Sequence, residues 1–134
     1  MDREMLVREA KAASAHSYAP YSQFRVGAAL LAADGTVFRG VNVENRSYGL
    51  GICAERSAIT AAVSAGKQEF AAIAVFSPDA AYPISPCGAC RQVLSEFLPR
   101  KAPILFIDKD GNVEEHTMEE VFPFDALHEL RPHD

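Results

Sequence analysis

Apolar residues recur along this chain at two spacings, and the alternation between them lays out the elements. Leu6, Ala10 and Ala13 fall at i, i+4 and i+7 while Arg8, Glu9 and Lys11 take the other faces, which predicts a helix over residues 3–16. The run 18–22, with Pro20 inside it, ends that helix. Residues 24–32 and 37–43 are β-like and flank Asp34-Gly35, a dipeptide suited to a tight hairpin, so the first two strands are expected to be antiparallel. A polar, glycine-containing loop follows through 48–51. Residues 54–65 return to helical spacing with Ala54, Ala58, Ile59, Ala62 and Val63 apolar, and Gly66 supplies a C-terminal stop.

Residues 71–76 form a short continuous apolar run, the pattern of a buried strand. Pro78, Pro83 and Pro86 then force a loop. A third helix is expected over 88–98 from Val93, Leu94, Phe97 and Leu98, leading to a strand at 104–107. Strand, helix and strand in that order imply a parallel, right-handed crossover. Asp110-Gly111 marks a second hairpin into 112–116, and Thr117-Met118-Glu119-Glu120 reads as a capping-box start of a last short helix. The sum is an α/β domain over 1–134: three layers, α/β/α, around a mixed sheet of about five strands.

Composition narrows the setting. The 134 residues, 49% hydrophobic and 23% charged, suit one soluble globular domain. No apolar run approaches the roughly 20 residues that span a bilayer, and the N-terminus opens on mixed charge without a secretory pattern, so the cytoplasm is the expected compartment. A net charge of −5 weighs against gripping a phosphate backbone, and no nucleic-acid or membrane partner is expected.

The chain's three cysteines carry the chemistry. Cys53 precedes Ala54-Glu55, and Cys87 and Cys90 sit in Pro86-Cys87-Gly88-Ala89-Cys90, each motif where a loop meets a helix start. Backbone N–H groups and the helix dipole there favour thiolate, the form that binds zinc. Three protein ligands with a fourth position left to water is the pattern of a catalytic zinc, whereas a structural zinc is closed by four. Cys87 and Cys90 alone would also serve a redox disulfide or an iron–sulfur site; a dithiol centre has no use for Cys53. Glu55 is placed to exchange protons beside the metal's open position. Zinc at +2 with three thiolates totals −1, and a guanidinium on sulfur would offset this, with Arg56 the first candidate and Arg91 the second. Asn42 and Glu44, two apart on an extended segment, face the same way and suit a sugar diol.

The chain resembles the zinc-dependent cytidine deaminase family, specifically its short, all-cysteine, homotetrameric type acting on free nucleosides. The resemblance rests on Cys53-Ala54-Glu55-Arg56 with residues 86–92, on Tyr18-Ala19-Pro20-Tyr21-Ser22 with Phe24-x-Val26-Gly27-Ala28, and on Gly40-x-Asn42-Val43-Glu44-Asn45 with Ser47-Tyr48-Gly49. It implies that Cys53, Cys87 and Cys90 hold Zn2+ and that Glu55 shuttles protons while an activated water displaces ammonia from C4 of cytosine. The products would be uridine and 2′-deoxyuridine, a pyrimidine-salvage reaction. It further implies that Asn42 and Glu44 hold the ribose hydroxyl, that Phe24 packs against the nucleoside, and that Tyr48 reaches a neighbouring subunit's site. Two departures stand out. Arg46 occupies a position near the sugar's 5′ end where many relatives carry a small residue. Segment 121–125 is shorter than the stretch that supplies a stacking phenylalanine from another subunit, and Phe124 is the candidate replacement.

Other readings remain open at this point. One is a deaminase of a modified or antibiotic aminopyrimidine nucleoside. Another is a non-catalytic zinc module closed by His16, His116, His128 or His133, and a third is a thioredoxin-like redox protein prompted by Cys87-Gly88-Ala89-Cys90.

Overall fold

A computed structural model describes residues 1–131; His133 lies outside them. Helix α1 (Arg3–Ser14) precedes strands β1 (Gly27–Ala32) and β2 (Val37–Val41), helix α2 (Ala54–Ser64), strand β3 (Phe70–Phe76), helix α3 (Gly88–Phe97), strands β4 (Pro103–Ile107) and β5 (Val113–Thr117), and helix α4 (Met118–Val121). The strands form one sheet in the order β2-β1-β3-β4-β5. Only β3 and β4 run parallel, joined through α3; the other neighbours are antiparallel. Among the described residues no helix is long and apolar enough to cross a membrane.

Alternation along each strand divides the core between the two faces of the sheet. Ala28 and Leu30 of β1, Ile73 of β3 and Ile104 of β4 pack on one face with Ala58 and Ala62 of α2, Leu94 of α3, and Met118 of α4. Ala29, Ala72, Ala74 and Leu105 point the other way, onto Leu6 and Ala10 of α1. The result is the expected three-layer α/β/α arrangement. Two glycines allow helices to lie close on the strands. A Cβ on Gly27 would stand 2.2 Å from the Ala10 carbonyl oxygen, and one on Gly40 would stand 2.3 Å from that of Ala54.

Strand direction explains why distant loops meet. β2 and β3 are both antiparallel to β1, so they point the same way and end at the same edge of the sheet. Gly27, the first residue of β1, pairs with Val41 at the end of β2 and Phe76 at the end of β3. The lead-in 18–26, the loop 42–53 and the loop 77–87 therefore gather at one end, and α2 and α3 both start there on the same face.

Some boundaries differ from those expected. β1 begins at Gly27 rather than at 24, because the Asn42 side chain takes over the pairing: its Nδ2 donates to the Phe24 carbonyl at 2.8 Å and its Oδ1 accepts from the Val26 N–H at 2.9 Å. The polar loop through 48–51 contains a single 3₁₀ turn (Tyr48–Leu50), and a second spans His128–Leu130. Val63, expected on the packed face of α2, is exposed. The capping box forms as the sequence suggests, with Glu120 N–H donating to the Thr117 hydroxyl at 3.3 Å and Thr117 N–H donating to the Glu120 carboxylate at 2.9 Å.

Candidate active site

The two cysteine motifs meet because each caps a helix that starts at the same end of the sheet. Cys53 is the N-cap of α2 and Cys87 the N-cap of α3, with the Cys90 N–H donating to the Cys87 sulfur at 3.5 Å. The three sulfurs all lie within 4.8 Å of one another, and those of Cys53 and Cys87 are 3.8 Å apart. Two thiolates each about 2.3 Å from a tetrahedral zinc stand roughly 3.8 Å apart, so the cluster fits that ion. Among the described residues the group contains no histidine. His116 is engaged elsewhere, 2.8 Å from Glu114 and stacked on Phe106.

Charge around the sulfurs is organised by their neighbours. A hydrogen bond from the Cys90 thiol, followed by the Arg56 guanidinium, holds Cys53 down at about 5, and the same pairing pushes Cys90 up. Arg56 Nη2 donates to the Cys53 sulfur at 3.3 Å, and that bond raises the arginine in turn. Arg91 is placed differently from the expectation. Its guanidinium donates to the Pro86 carbonyl at 2.7 Å, the Ser85 hydroxyl at 2.8 Å and the Val121 carbonyl at 2.9 Å. It braces the cysteine loop against α4 and gives no bond to sulfur among the described residues. Backbone carbonyls on both flanks outcompete a weak sulfur acceptor for that rigid fork.

Beside the sulfurs opens a cavity of about 400 Å³, whose lining includes Asn42, Glu44, Tyr48, Cys53, Glu55 and Arg56. Glu55 is only 5% exposed, and burial, its largest influence, pushes its carboxyl up to about 7. A carboxyl there can take and return a proton near neutral pH.

Glu44, which lines the same cavity, is held by the turn before β1. Glu44 Oε1 accepts from the N–H groups of Tyr21 at 3.0 Å and Ser22 at 3.1 Å, and Oε2 accepts from the Ser22 hydroxyl. The Ser22 hydroxyl first, and the backbone donors with it, hold this carboxyl below its ordinary range. Asn42 Oδ1 accepts from the Ser17 hydroxyl as well as from Val26. With its other bond to Phe24, the amide keeps one N–H free. One amide N–H of Asn42 and one acceptor site of Glu44 are left unused by the described residues.

The remaining candidates sit at or beyond the rim. Tyr48 lines the cavity yet is 82% exposed, its ring edge-on to Tyr21 with centroids 6.0 Å apart. Phe24 is half-buried and does not line the cavity; its N–H is held by the Ser22 hydroxyl at 3.0 Å. Arg46 is exposed, and Phe124 is 91% exposed in the segment after α4. Ile84 and Ser85 also line the cavity. Their only sequence signal is a place between Pro83 and Pro86 in the loop leading to Cys87.

A mixed α/β sheet whose two helix starts bring three thiols beside a buried carboxyl is the arrangement of an enzyme fold with a site that could hold a metal ion. Residues 1–106 match the family described as the cytidine and deoxycytidylate deaminase zinc-binding region. The chain is 49% identical over 123 residues to a cytidine deaminase of Halalkalibacterium halodurans, covering 92% of each. It is 48% identical to a cytidine deaminase of Sporosarcina psychrophila, covering 92% of this chain and 90% of the relative. The crystal structure of cytidine deaminase from Burkholderia pseudomallei superposes with a TM-score of 0.88 at 46% identity, covering 92% of this chain and 98% of that one. That from Mycobacterium tuberculosis gives 0.82 at 39% identity. The chain belongs to the cytidine and deoxycytidylate deaminase family.

Proposed function

We propose that this chain, acting as one domain over 1–134, is a hydrolytic deaminase that converts cytidine and 2′-deoxycytidine, with water, to uridine and 2′-deoxyuridine and ammonia. The observation that carries this reading is the buried Glu55 carboxyl beside the three-sulfur cluster, facing Asn42 and Glu44 across one cavity.

Cys53, Cys87 and Cys90 would hold a zinc ion. The chemistry such an ion supplies when bound is Lewis acidity that brings the pKa of a water down to about 7. Glu55 takes a proton from the attacking water and delivers it to N3 of the cytosine ring. When the C4–N bond breaks, the same carboxyl takes the remaining proton from the hydroxyl now on C4 and carries it to the departing amine, so ammonia leaves and C4 keeps the oxygen as a carbonyl. Arg56 draws negative charge from the Cys53 sulfur and so keeps the centre electrophilic. Asn42 donates to a sugar hydroxyl and Glu44 accepts from it, which fixes the base against Glu55. The roles of Phe24 and Tyr48 toward the nucleoside follow the family resemblance.

Two exposed aromatics, Tyr48 at the cavity and Phe124 in the segment after α4, support a homotetramer with shared sites, because they offer large apolar surfaces that a neighbouring copy would cover. A cytoplasmic place and a salvage role fit free thiols serving as metal ligands under reducing conditions.

The deciding experiment incubates zinc-verified protein with cytidine, 2′-deoxycytidine and free cytosine, following the loss of cytosine absorbance and ammonia release. Turnover of both nucleosides without free cytosine is expected. No turnover of any would overturn the reading in favour of a specialised aminopyrimidine. For subunit sharing, Glu55→Gln chains mixed with Tyr48→Ala chains are expected to restore some sites in verified mixed oligomers; absence of rescue would refute it.

A further inference from the structure

We propose that Ser22 is the positioning residue for sugar recognition: its hydroxyl and the turn that carries it lock the Glu44 carboxylate so that one acceptor site remains for substrate. The inference rests on the reading of Asn42 and Glu44 as the sugar contacts.

Three donors converge on Glu44 from two consecutive residues. Oε1 takes the Tyr21 and Ser22 N–H groups, and Oε2 takes the Ser22 hydroxyl. A carboxylate offers about four acceptor sites, so one remains, on Oε2. The direction of the hydroxyl is fixed by its other neighbour. Phe24 N–H donates to the Ser22 oxygen at 3.0 Å, which leaves the hydroxyl hydrogen to point at Glu44.

The backbone that makes this arrangement possible is strained. Gln23 adopts a left-handed φ of 58°, the one positive φ at a non-glycine residue among the described residues. Its N–H closes the turn onto the Ala19 carbonyl at 2.9 Å. Left-handed backbone at a residue with a side chain costs free energy and persists where surrounding structure holds it. Here it aims two N–H groups and a hydroxyl at a single carboxylate. The turn is tied to the strand extension at both ends of the pair it serves. Tyr18 N–H donates to the Asn42 carbonyl at 3.0 Å, and Glu44 N–H donates to the Tyr18 carbonyl at 2.9 Å.

The consequence is a division of labour within the rim. Glu44 approaches the substrate, while Ser22 sets its rotamer and occupies two of its four acceptor sites beforehand, the Tyr21 N–H taking a third. Without the hydroxyl the carboxylate gains a second free site on Oε2 and rotational freedom, so a sugar hydroxyl meets a less ordered partner.

The test compares Ser22→Ala and Ser22→Thr with wild type on cytidine and on 2′,3′-dideoxycytidine, with zinc content and Tm measured on each. Ser22→Ala is expected to raise KM for cytidine about 10-fold with little change in kcat. The dideoxy substrate, lacking the hydroxyls Glu44 would meet, should show a much smaller rise. Ser22→Thr keeps a hydroxyl and should return KM for cytidine to near wild type. An unchanged KM in Ser22→Ala, an equal rise on both substrates, or a Thr variant that behaves like Ala despite normal zinc content and Tm would overturn the proposal. Should wild type itself handle cytidine and the dideoxy compound with equal KM, the sugar reading of Glu44 fails first and takes the proposal with it.

Discussion

Glu44 and Glu55 line the same cavity and have the same side chain, yet their surroundings push them in opposite directions. Glu55 is buried at the start of α2, and loss of solvent lifts its carboxyl to about 7. Glu44 lies on an extended segment, meets three donors from residues 21–22, and is held below its ordinary range. One carboxyl is suited to trade protons, the other to stay an acceptor. What separates them is the number of donors aimed at each and the water each retains, and neither quantity is a property of glutamate.

Breaking the buried partner should have the largest effect. Glu55→Gln is expected to retain zinc and fold while kcat falls roughly 10²–10⁴-fold, checked by steady-state kinetics and metal analysis. Breaking the rim partner should act on binding instead. Glu44→Gln is expected to raise KM for cytidine about 10²-fold with a much smaller change in kcat, because a hydrogen bond to a charged acceptor is lost. Arg56→Ala probes the sulfur side of the comparison. It should weaken zinc retention about 10–100-fold in a chelator competition, since the Cys53 thiolate loses its cationic donor.

The smallest and sharpest contrast is in pH. A depressed carboxyl stays ionised as pH falls and is neutralised only once pH passes below its lowered value. Any rise in KM for cytidine that comes from neutralising Glu44 should therefore begin at a lower pH than an ordinary glutamate would give. In Ser22→Ala the carboxyl moves back up, and the rise in KM should begin at a higher pH than in wild type. Coincident profiles would show that Ser22 does not hold Glu44 low.

Much of this organisation was legible in the residues. Periodicity located the elements because burial on one face leaves a spacing in the sequence, and the cysteine cluster was legible because Cys53 and the Cys87–Cys90 pair each mark a helix start. The partnership of turn 19–23 with Glu44 left no such mark, since it joins segments about 20 residues apart through single hydrogen bonds that no periodicity encodes. The same holds for Asn42, whose side chain replaces a rung of the sheet and moves the start of β1 to Gly27. Arg91 was misread for a related reason. Its neighbour in sequence is Cys90, but its neighbours in space are the carbonyls of Pro86 and Val121.

Gly40 sits two residues before Asn42, and its missing side chain is what lets the backbone of α2 at Ala54 and Ala58 rest directly on β2. That contact sets the gap between the strand that leads to Asn42 and Glu44 and the helix start that carries Cys53 and Glu55. The fold thus works as a calliper whose jaws are closed to the thickness of one glycine, and the width of the cavity between them is set in the scaffold, beneath the side chains that line it.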